Sequence, residues 1–435
     1  MGSREQLAAA RRATLRLWAG NLLLLSMSVL TGLGLLEVSA RIVFARRTVV
    51  TVGEQAVYSQ WDALLGWRNR PKSSVRYGRR EYSTEVTINS LGFRDVERGP
   101  ARPPGFGRVL ALGDSFVEGF TVDLEQSMTR RAEAISLAQG CYLDVVNAGV
   151  HAYSTDQEAL WFVRDAESLD PDVVLVFVYY NDILNNIRGN YWGSPKPLTK
   201  VIDGQIVPVN LPLPEPARTA ESPGVHRKVL PVIEGSALKG LVLETMLMRA
   251  PRLHRWLAGA GLWGPYEPEG IPDELRAYKA RGPLSEFDEA WENTRVILRA
   301  LGNTVRARHA EPVLVHIPAR FEVSERDWKL TTVRYGIDPK AWDRGLVRRR
   351  LEEIAASEGW AFLDLTQALR SAVGPFGGEP YFQYDGHWNA LGHDVAARAV
   401  VNFLRERSLL PCGARPGAQH STSQASPPTG DPGRY

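Results

Sequence analysis

The stretch Asp172-Val-Val-Leu-Val-Phe-Val-Tyr-Tyr-Asn-Asp182 decides the fold. Val173 to Val178 is an unbroken apolar run that ends abruptly at polar residues. A strand wetted on one face would alternate apolar and polar side chains. A run apolar at every position is the pattern of a parallel strand covered on both faces. Parallel neighbours need crossover connections, usually helices, and these supply the two covering layers.

The sequence on either side repeats the pattern. Arg108-Val-Leu-Ala-Leu112 reads as a strand closed by the turn at Gly113, and a helix is expected from about Leu124 to Ala138. Leu143-Asp-Val-Val-Asn147 reads as a second strand, closed by Ala148-Gly149. Thr155-Asp-Gln-Glu158 has the form of a capping box, opening a helix to about Leu169 with Ala159, Phe162, Val163 and Ala166 at helical spacing. Further on come a helix from Trp291 to about Ala307, a strand Pro312–Ile317, a helix through Glu352 to Ser357, a strand Trp360–Leu365 and a closing helix Leu391–Arg405. Strands alternating with helices predict a three-layer α/β domain around a mostly parallel sheet.

Composition sets the outer limits. The 435 residues are 44% apolar and 23% charged, which excludes fibrous and wholly disordered chains. Lys and Arg number 52 against 49 Asp and Glu, and a net charge of +3 is too weak to argue for nucleic acid. The two cysteines, Cys141 and Cys412, exclude a disulfide framework and a cysteine-rich metal centre. Cys412 falls in a tail rich in Pro, Gly, Ser and Thr, so no pairing with Cys141 is expected.

The N-terminus points to a membrane. Leu17 to Leu36 is a charge-free apolar run, preceded by Arg4, Arg11, Arg12 and Arg16 and followed by Arg41, Arg46 and Arg47. A helix of that length rises about 30 Å, the thickness of the hydrocarbon core. An uncleaved anchor is the first reading. A cleaved signal peptide is the second, because Val38-Ser39-Ala40 offers small residues, and a buried core helix is the third. The first two leave the rest of the chain outside the cytoplasm, periplasmic in a Gram-negative cell.

The expected organisation is a cytoplasmic N-terminus over 1–16, an anchor over 17–44 and a connecting region over 45–105. The catalytic α/β domain would take 106–190 and 286–408, split by an inserted lid or subdomain over 191–285. That insertion carries an amphipathic stretch near Leu238 to Ala250 and the aromatics Tyr191, Trp192, Trp256, Trp263 and Tyr266, which serve either core packing or sugar stacking. Residues 409–435 are expected to be a disordered tail.

Catalytic groups of parallel sheets gather beyond the carboxyl ends of the strands. Four such ends carry polar residues here: Gly113-Asp114-Ser115, Asn147-Ala148-Gly149, Tyr180-Asn181-Asp182, and Asp385-Gly386-His387-Trp388-Asn389. A serine nucleophile needs a base, the base needs a partner that fixes its tautomer, and the reaction needs donors aimed at an oxyanion. Ser115 can be the nucleophile, His387 the base and Asp385 its orienting partner. The backbone N–H groups of Ser115 and Gly149, with the Asn181 side chain, can bind the oxyanion.

Each element has a plainer reading alone. Gly-Asp-Ser is a common turn, Asn147-Ala-Gly149 can merely end a strand, Asn181-Asp182 can cap the next segment, and His387 can be a core histidine. The conjunction of the four favours catalysis. His151 or His316 could replace His387 as base, although neither follows an acidic residue at short spacing. His387 and His393 lack a recognised metal spacing. No Gly-x-Ser-x-Gly elbow surrounds Ser115, and no Walker or Gly-x-Gly-x-x-Gly loop follows a strand. Neither a metal nor an organic cofactor is expected.

In these four blocks the chain resembles the SGNH hydrolase superfamily, the GDSL esterases and lipases, over roughly 106–183 and 291–405. The matching residues are Ser115 in Leu112-Gly-Asp-Ser-Phe116, Gly149, Asn181 in Tyr180-Asn-Asp182, and His387. Leu65-Gly-Trp-Arg68, Ile88-Asn-Ser-Leu-Gly-Phe-Arg94 and Tyr153-Ser-Thr-Asp-Gln-Glu158 also look like membrane-anchored bacterial members. Two departures stand out. Tyr179 occupies the place of the usual Gly in the third block, and Gly386 alone separates Asp385 from His387. The short spacing and Trp388-Asn389 are similar to the acetyltransferase-like branch that modifies exopolysaccharides such as alginate. The resemblance implies a flavodoxin-like α/β/α fold and ester chemistry through an acyl-serine, by hydrolysis or by acyl transfer. The implied substrate is an O-acetylated envelope or exported polysaccharide, within a possible polysaccharide biosynthesis complex. A lipid esterase or lysophospholipase at the membrane surface is the alternative, and a non-catalytic carbohydrate-binding assembly protein a third.

Overall fold

The computed structural model describes residues 2–45, 58–215 apart from 80, 100, 101 and 192, then 271–280, 285–374 and 379–409 apart from 384, with a few isolated positions between 242 and 257. The stretch near Leu238 to Ala250, Trp192, Trp263, Tyr266 and the tail from 410 on lie outside the described residues, save for single positions of the first.

Five parallel strands form the centre: β1 (Gly107–Gly113), β2 (Leu143–Gly149), β3 (Val173–Val178), β4 (Glu311–His316) and β5 (Ala361–Asp364). Their order across the sheet is β2-β1-β3-β4-β5. This is the flavodoxin-like doubly wound order, with its switch point between β1 and β3. Every residue of β1, β2 and β3 is buried. The period of two then sorts each strand between two cores. Leu110, Leu112, Val146, Val174, Val176 and Leu314 face one core. Val109, Ala111, Val145, Leu175, Phe177, Val313 and Val315 face the other.

Helices cover both faces. Helix α1 (Met128–Ala138) and helix α5 (Ala390–Glu406) close one side through Met128, Ala132, Ile135, Ala397, Val400 and Leu404. Helices α2 (Thr155–Asp165), α3 (Ser285–Ala307) and α4 (Leu346–Ser357) close the other through Leu160, Phe162, Leu298, Leu301, Leu351 and Ile354. Boundaries differ from the sequence reading at the turns. The stretch before α1 is a separate 3-10 turn, Leu124–Gln126, and Ser154 rather than Thr155 caps α2, with its N–H donating to Gln157 Oε1 at 3.4 Å. Two helices had no strong periodic signal: Arg320–Val323 and Glu325–Tyr335.

The expected connecting region is built in detail from residue 58 onward. It forms two antiparallel hairpins, Ser59–Asp62 with Gly66–Asn69 and Ser74–Gly78 with Ser83–Thr87. Tyr58, Tyr77, Tyr82, Val86 and Ile88 join Phe120 in a third apolar cluster. The described start of the insertion also docks onto the main domain. Its hairpin Thr199–Ile202 with Gln205–Pro208 packs Val201 and Ile206 against the core, and Tyr191 does the same, whereas Trp256 is exposed. Lys196 is fully buried there, its Nζ donating to Asp156 at 2.9 Å, Ser154 Oγ at 2.8 Å and the Asn185 carbonyl at 2.7 Å. Burial pulls this ammonium below its ordinary value, and Asp156 opposes that pull.

Cys141 corrects the sequence reading. It is buried and disulfide-bonded, and the chain's other cysteine, Cys412, lies outside the described residues. At the N-terminus a helix spans Gly2–Ala45. Its segment Leu17–Ala40 has a mean hydropathy of 1.8 and leaves Leu22, Leu23, Leu24 and Leu25 exposed, so it is long and apolar enough to cross a membrane or to serve as a signal sequence.

Removing one partner of a buried ion pair leaves the other charge stranded. Lys196→Ala should therefore lower stability by about 3–5 kcal/mol in urea unfolding, and Lys196→Met with Asp156→Leu should recover most of it. A Lys196→Ala variant as stable as wild type would contradict this account.

Candidate active site

The strand register brings the first three polar blocks to one edge, while the fourth, Asp385–Asn389, lies on the loop before α5, beyond the helix Thr366–Ser371 that follows β5. Gly113 lies opposite Gly149, Leu112 opposite Val176, and Val178 opposite His316, so β1 to β4 end together. Directly after β1 the chain turns into the short helix Ser115–Glu118, capped by Asp114, whose carboxylate accepts the Phe116 N–H at 2.9 Å. Burial pushes the Asp114 carboxyl up to about 6, against that hydrogen bond and the charge of His387. Gly119 ends the turn at φ 70°, where a side chain would be strained.

Ser115 meets His387 across the site, Oγ to Nε2, at 2.7 Å. His387 Nδ1 in turn hydrogen-bonds Asp385 Oδ1. The single residue between them, Gly386, sits at φ 87°. That left-handed turn, open to glycine, folds the carboxylate back onto the imidazole. The ring of His387 is set between Phe116 and Phe120, at centroid distances of 4.9 and 5.2 Å. Its side chain keeps 22% of its surface exposed, so the imidazole is reachable. Burial by itself would raise the Asp385 carboxyl, but the charge of His387 and hydrogen bonds from His387 and Tyr82 hold it at about 2. A carboxylate is thus present against the imidazole throughout the neutral range.

The neighbouring histidines are committed elsewhere. His151 is buried, with Nε2 at 3.3 Å from Ser59 Oγ and Nδ1 at 3.4 Å from Glu118. His316 is buried at the end of β4, 3.1 Å from Asp364 and 3.7 Å from Glu322. Burial disfavours its charge, yet the two carboxylates raise it to about 9. His393 accepts the Met128 N–H at 3.2 Å, and burial with the charges of Arg94 and His387 lowers it to about 3. No group of three or more His, Cys, Asp or Glu side chains arranged for a metal occurs among the described residues.

The oxyanion donors divide. Ser115 opens a helical turn, and its N–H has no acceptor among the described residues, as first-turn amides lack intrahelical partners. Asn181 lies on the short helix Tyr180–Asn185. Its Oδ1 is buried and unpartnered, and its Nδ2 has no hydrogen bond among the described residues. Local capping falls to Asp182, which accepts the Tyr179 N–H at 3.1 Å. Gly149 departs from the sequence expectation. Its N–H donates to Asn147 Oδ1 at 3.1 Å. Its missing Cβ makes room for the serine turn, since a Cβ there would lie 2.3 Å from Glu118 N. Close backbone packing, rather than access of substrate, explains this glycine.

Trp388 and Asn389 have structural duties. Trp388 is buried against Phe116, and Asn389 caps α5 by accepting the Leu391 and Gly392 N–H groups at 2.9 and 3.2 Å. Two residues absent from the sequence reading also reach the site. Tyr82 donates its hydroxyl to Asp385 Oδ2 at 2.9 Å, and the Glu81 carboxylate accepts the N–H groups of Gln383 at 2.7 Å and Asp385 at 3.0 Å. Their sequence context, the turn of a hairpin in which Tyr82 lies 303 residues before Asp385, carries no catalytic signal.

No family model and no curated protein sequence matches the chain. Solved structures that resemble it include a lipase/acylhydrolase from Enterococcus faecalis, at 12% identity and TM-score 0.35, covering 71% of this chain and 100% of that one. A catalytic mutant of Axe2, an acetylxylan esterase from Geobacillus stearothermophilus, is similar at 14% identity and TM-score 0.34, covering 71% and 97%. A GDSL-like lipase from Bacteroides thetaiotaomicron is similar at 12% identity and TM-score 0.30, covering 69% and 88%. At such low identities and scores the functional reading rests on the geometry of the site.

Because the folded Asp385 carboxyl lies at about 2 and an unfolded one near ~3.9, its hydrogen-bonded carboxylate stabilises the protein above that unfolded value. The contribution is lost as pH falls through about 2. The stability gap between wild type and Asp385→Asn should be full at neutral pH and shrink progressively in acid, read by urea unfolding. A gap that stayed constant down to the acid limit would show that the charge of Asp385 contributes nothing.

Proposed function

We propose that the chain is a membrane-anchored serine esterase or O-acyltransferase of the SGNH type, with its α/β domain outside the cytoplasm. The observation that carries this reading is the relay from Ser115 Oγ through His387 to Asp385, with Ser115 and His387 at 2.7 Å. In the proposed reaction Ser115 Oγ attacks an ester carbonyl while His387 Nε2 takes its proton. The negative charge develops on the carbonyl oxygen between the Ser115 N–H and the Asn181 amide. His387 then returns the proton to the departing alkoxide and leaves an acyl-serine. Water, or a sugar hydroxyl, enters by the reverse steps with His387 again as base. None of these steps uses a metal or cofactor.

The proposed substrate is an O-acetyl group on an envelope or exported polysaccharide, supported by the short Asp385-Gly386-His387 spacing. The partner would be a polysaccharide biosynthesis complex, and no nucleic acid is involved. The extracytoplasmic placement is supported by the N-terminal helix and by the disulfide at Cys141, since disulfides persist in oxidising compartments. The domain limits proposed are those of the sequence reading, with 58–95 counted as part of the catalytic body.

A fluorophosphonate probe should label Ser115, and Ser115→Ala should abolish both labelling and turnover of p-nitrophenyl acetate. His387→Ala should be similarly damaging, with ~10⁴-fold or more lost, because triad members act as a unit. An unlabelled Ser115 in folded protein would leave a non-catalytic binding role.

Asn181 separates donor from cap. Loss of one oxyanion donor typically costs ~10²–10³ in kcat. Asn181→Ala should fall by that order with little change in KM, and Asn181→Asp should be no better, since a carboxylate repels the oxyanion. An Asp variant close to wild type would remove Asn181 from the mechanism.

A further inference from the structure

We infer that Tyr82 is a positioning residue that extends the relay to four members, and that Glu81 holds the loop on which the relay is built; this rests on the serine-enzyme reading above. The Asp385 carboxylate has two oxygens with different tasks. Oδ1 receives the His387 Nδ1 proton, and Oδ2 receives the Tyr82 hydroxyl at 2.9 Å. With one oxygen bonded, a carboxylate can still rotate about its last torsion, which is broad. The second donor fixes its plane, and with it the tautomer and direction of the imidazole.

The phenol is itself immobilised. The Tyr82 ring is buried, stacked on Tyr77 at 6.3 Å and set against Phe120 at 6.1 Å and Phe382 at 5.1 Å. Phe120 touches both Tyr82 and His387, so one ring packs against two members of the relay. Glu81 fixes the backbone. Its two carboxylate oxygens accept the N–H groups of Gln383 and Asp385. From the opposite side Arg320 donates to the carbonyls of Phe382, at 3.0 Å, and Gln383, at 2.5 Å. The loop bearing Asp385 is therefore held between a side chain of the N-terminal hairpin and one that follows β4.

The same N-terminal segment grips the nucleophile's turn. Tyr58 and Asn69 donate to the Glu118 carboxylate at 3.1 and 3.0 Å, and buried Arg94 donates to the carbonyls of Gly119 and Val122. Residues 58–95 thus hold both halves of the relay, serine and acid, against each other. Tyr82 and Glu81 act on the reaction only through Asp385 and the loop backbone, which is the meaning of a positioning role.

Tyr82→Phe keeps the ring and removes the hydroxyl. With p-nitrophenyl acetate, kcat should fall roughly 10- to 100-fold at unchanged KM, the scale of a misplaced catalytic group. The midpoint of the pH–rate profile should move upward, because more of the carboxylate charge then bears on the imidazolium. The downfield Nδ1–H resonance of His387 should shift as well. In an Asp385→Asn background the same Tyr82→Phe change should cost almost nothing, since its route of action is gone. Glu81→Gln should lower kcat without moving the midpoint. If Tyr82→Phe leaves rate, midpoint and resonance unchanged in an enzyme whose activity still depends on Ser115, the positioning role is wrong and the enzyme reading stands. Full additivity with Asp385→Asn would overturn it equally. A wild-type protein whose esterase activity is independent of Ser115 would overturn the enzyme reading instead.

Discussion

A 2.7 Å hydrogen bond joins Ser115 to His387 across 272 residues of chain, and the rest of the molecule can be understood as what holds it. Neither residue is placed by its own neighbours alone. Ser115 is set by the end of β1, where Gly113 lies beside Gly149 and the following turn packs into the space a Cβ would fill. His387 is set by a loop that precedes α5, seated between Phe116 and Phe120. A hydrogen bond of this length tolerates little displacement at either end. The parallel sheet fixes the serine side of it by bringing the ends of four strands to a common edge.

The charges around the site follow from burial as much as from pairing. Asp385 and Asp114 are both shielded carboxyls close to His387, yet they move in opposite directions, to about 2 and about 6. Asp385 receives the imidazole and a phenol directly. Asp114 spends its oxygen on a backbone amide and lies near Glu118, another acid. Contact geometry therefore separates the partner of the base from a structural cap. The same contact geometry sets His151 and His316 apart from Ser115. Each has carboxylate company and a place near a strand end, but each is closed from solvent and bonded to groups other than Ser115.

Polar groups buried away from the site give the fold its specificity. Lys196 with Asp156 anchors the start of the insertion to the cap of α2, and Arg94 ties the N-terminal segment to the serine turn. A buried ion pair adds little net stability over an apolar pair, but losing one partner strands the other charge. Both ties are made by segments that look like connectors in the sequence. They tie the described start of the insertion and the N-terminal hairpins to the doubly wound sheet domain.

Much of this was legible in the chain alone. Largely apolar runs of strand length, ending at Gly113, Gly149 and Tyr180-Asn181-Asp182, mark β1 to β3, because a strand covered on both faces favours apolar residues even where, as in β2, it also buries Asp144 and Asn147. The same rule located β4 and β5 within a residue or two, and strand ends are where an α/β sheet keeps its chemistry. The four polar blocks could therefore be named before any contact was known. Capping at Ser154 and the helices Arg320–Val323 and Glu325–Tyr335 were less visible, since helix ends and short helices leave little periodicity. What only the tertiary structure decided was everything that depends on distance across the chain. It set His387, not His151 or His316, against Ser115, committed the Gly149 amide to Asn147, joined Cys141 in a disulfide, and brought Glu81 and Tyr82 to Asp385. The physical reason is that sequence patterns record which face of an element is buried. They do not record which side chain waits on the other side.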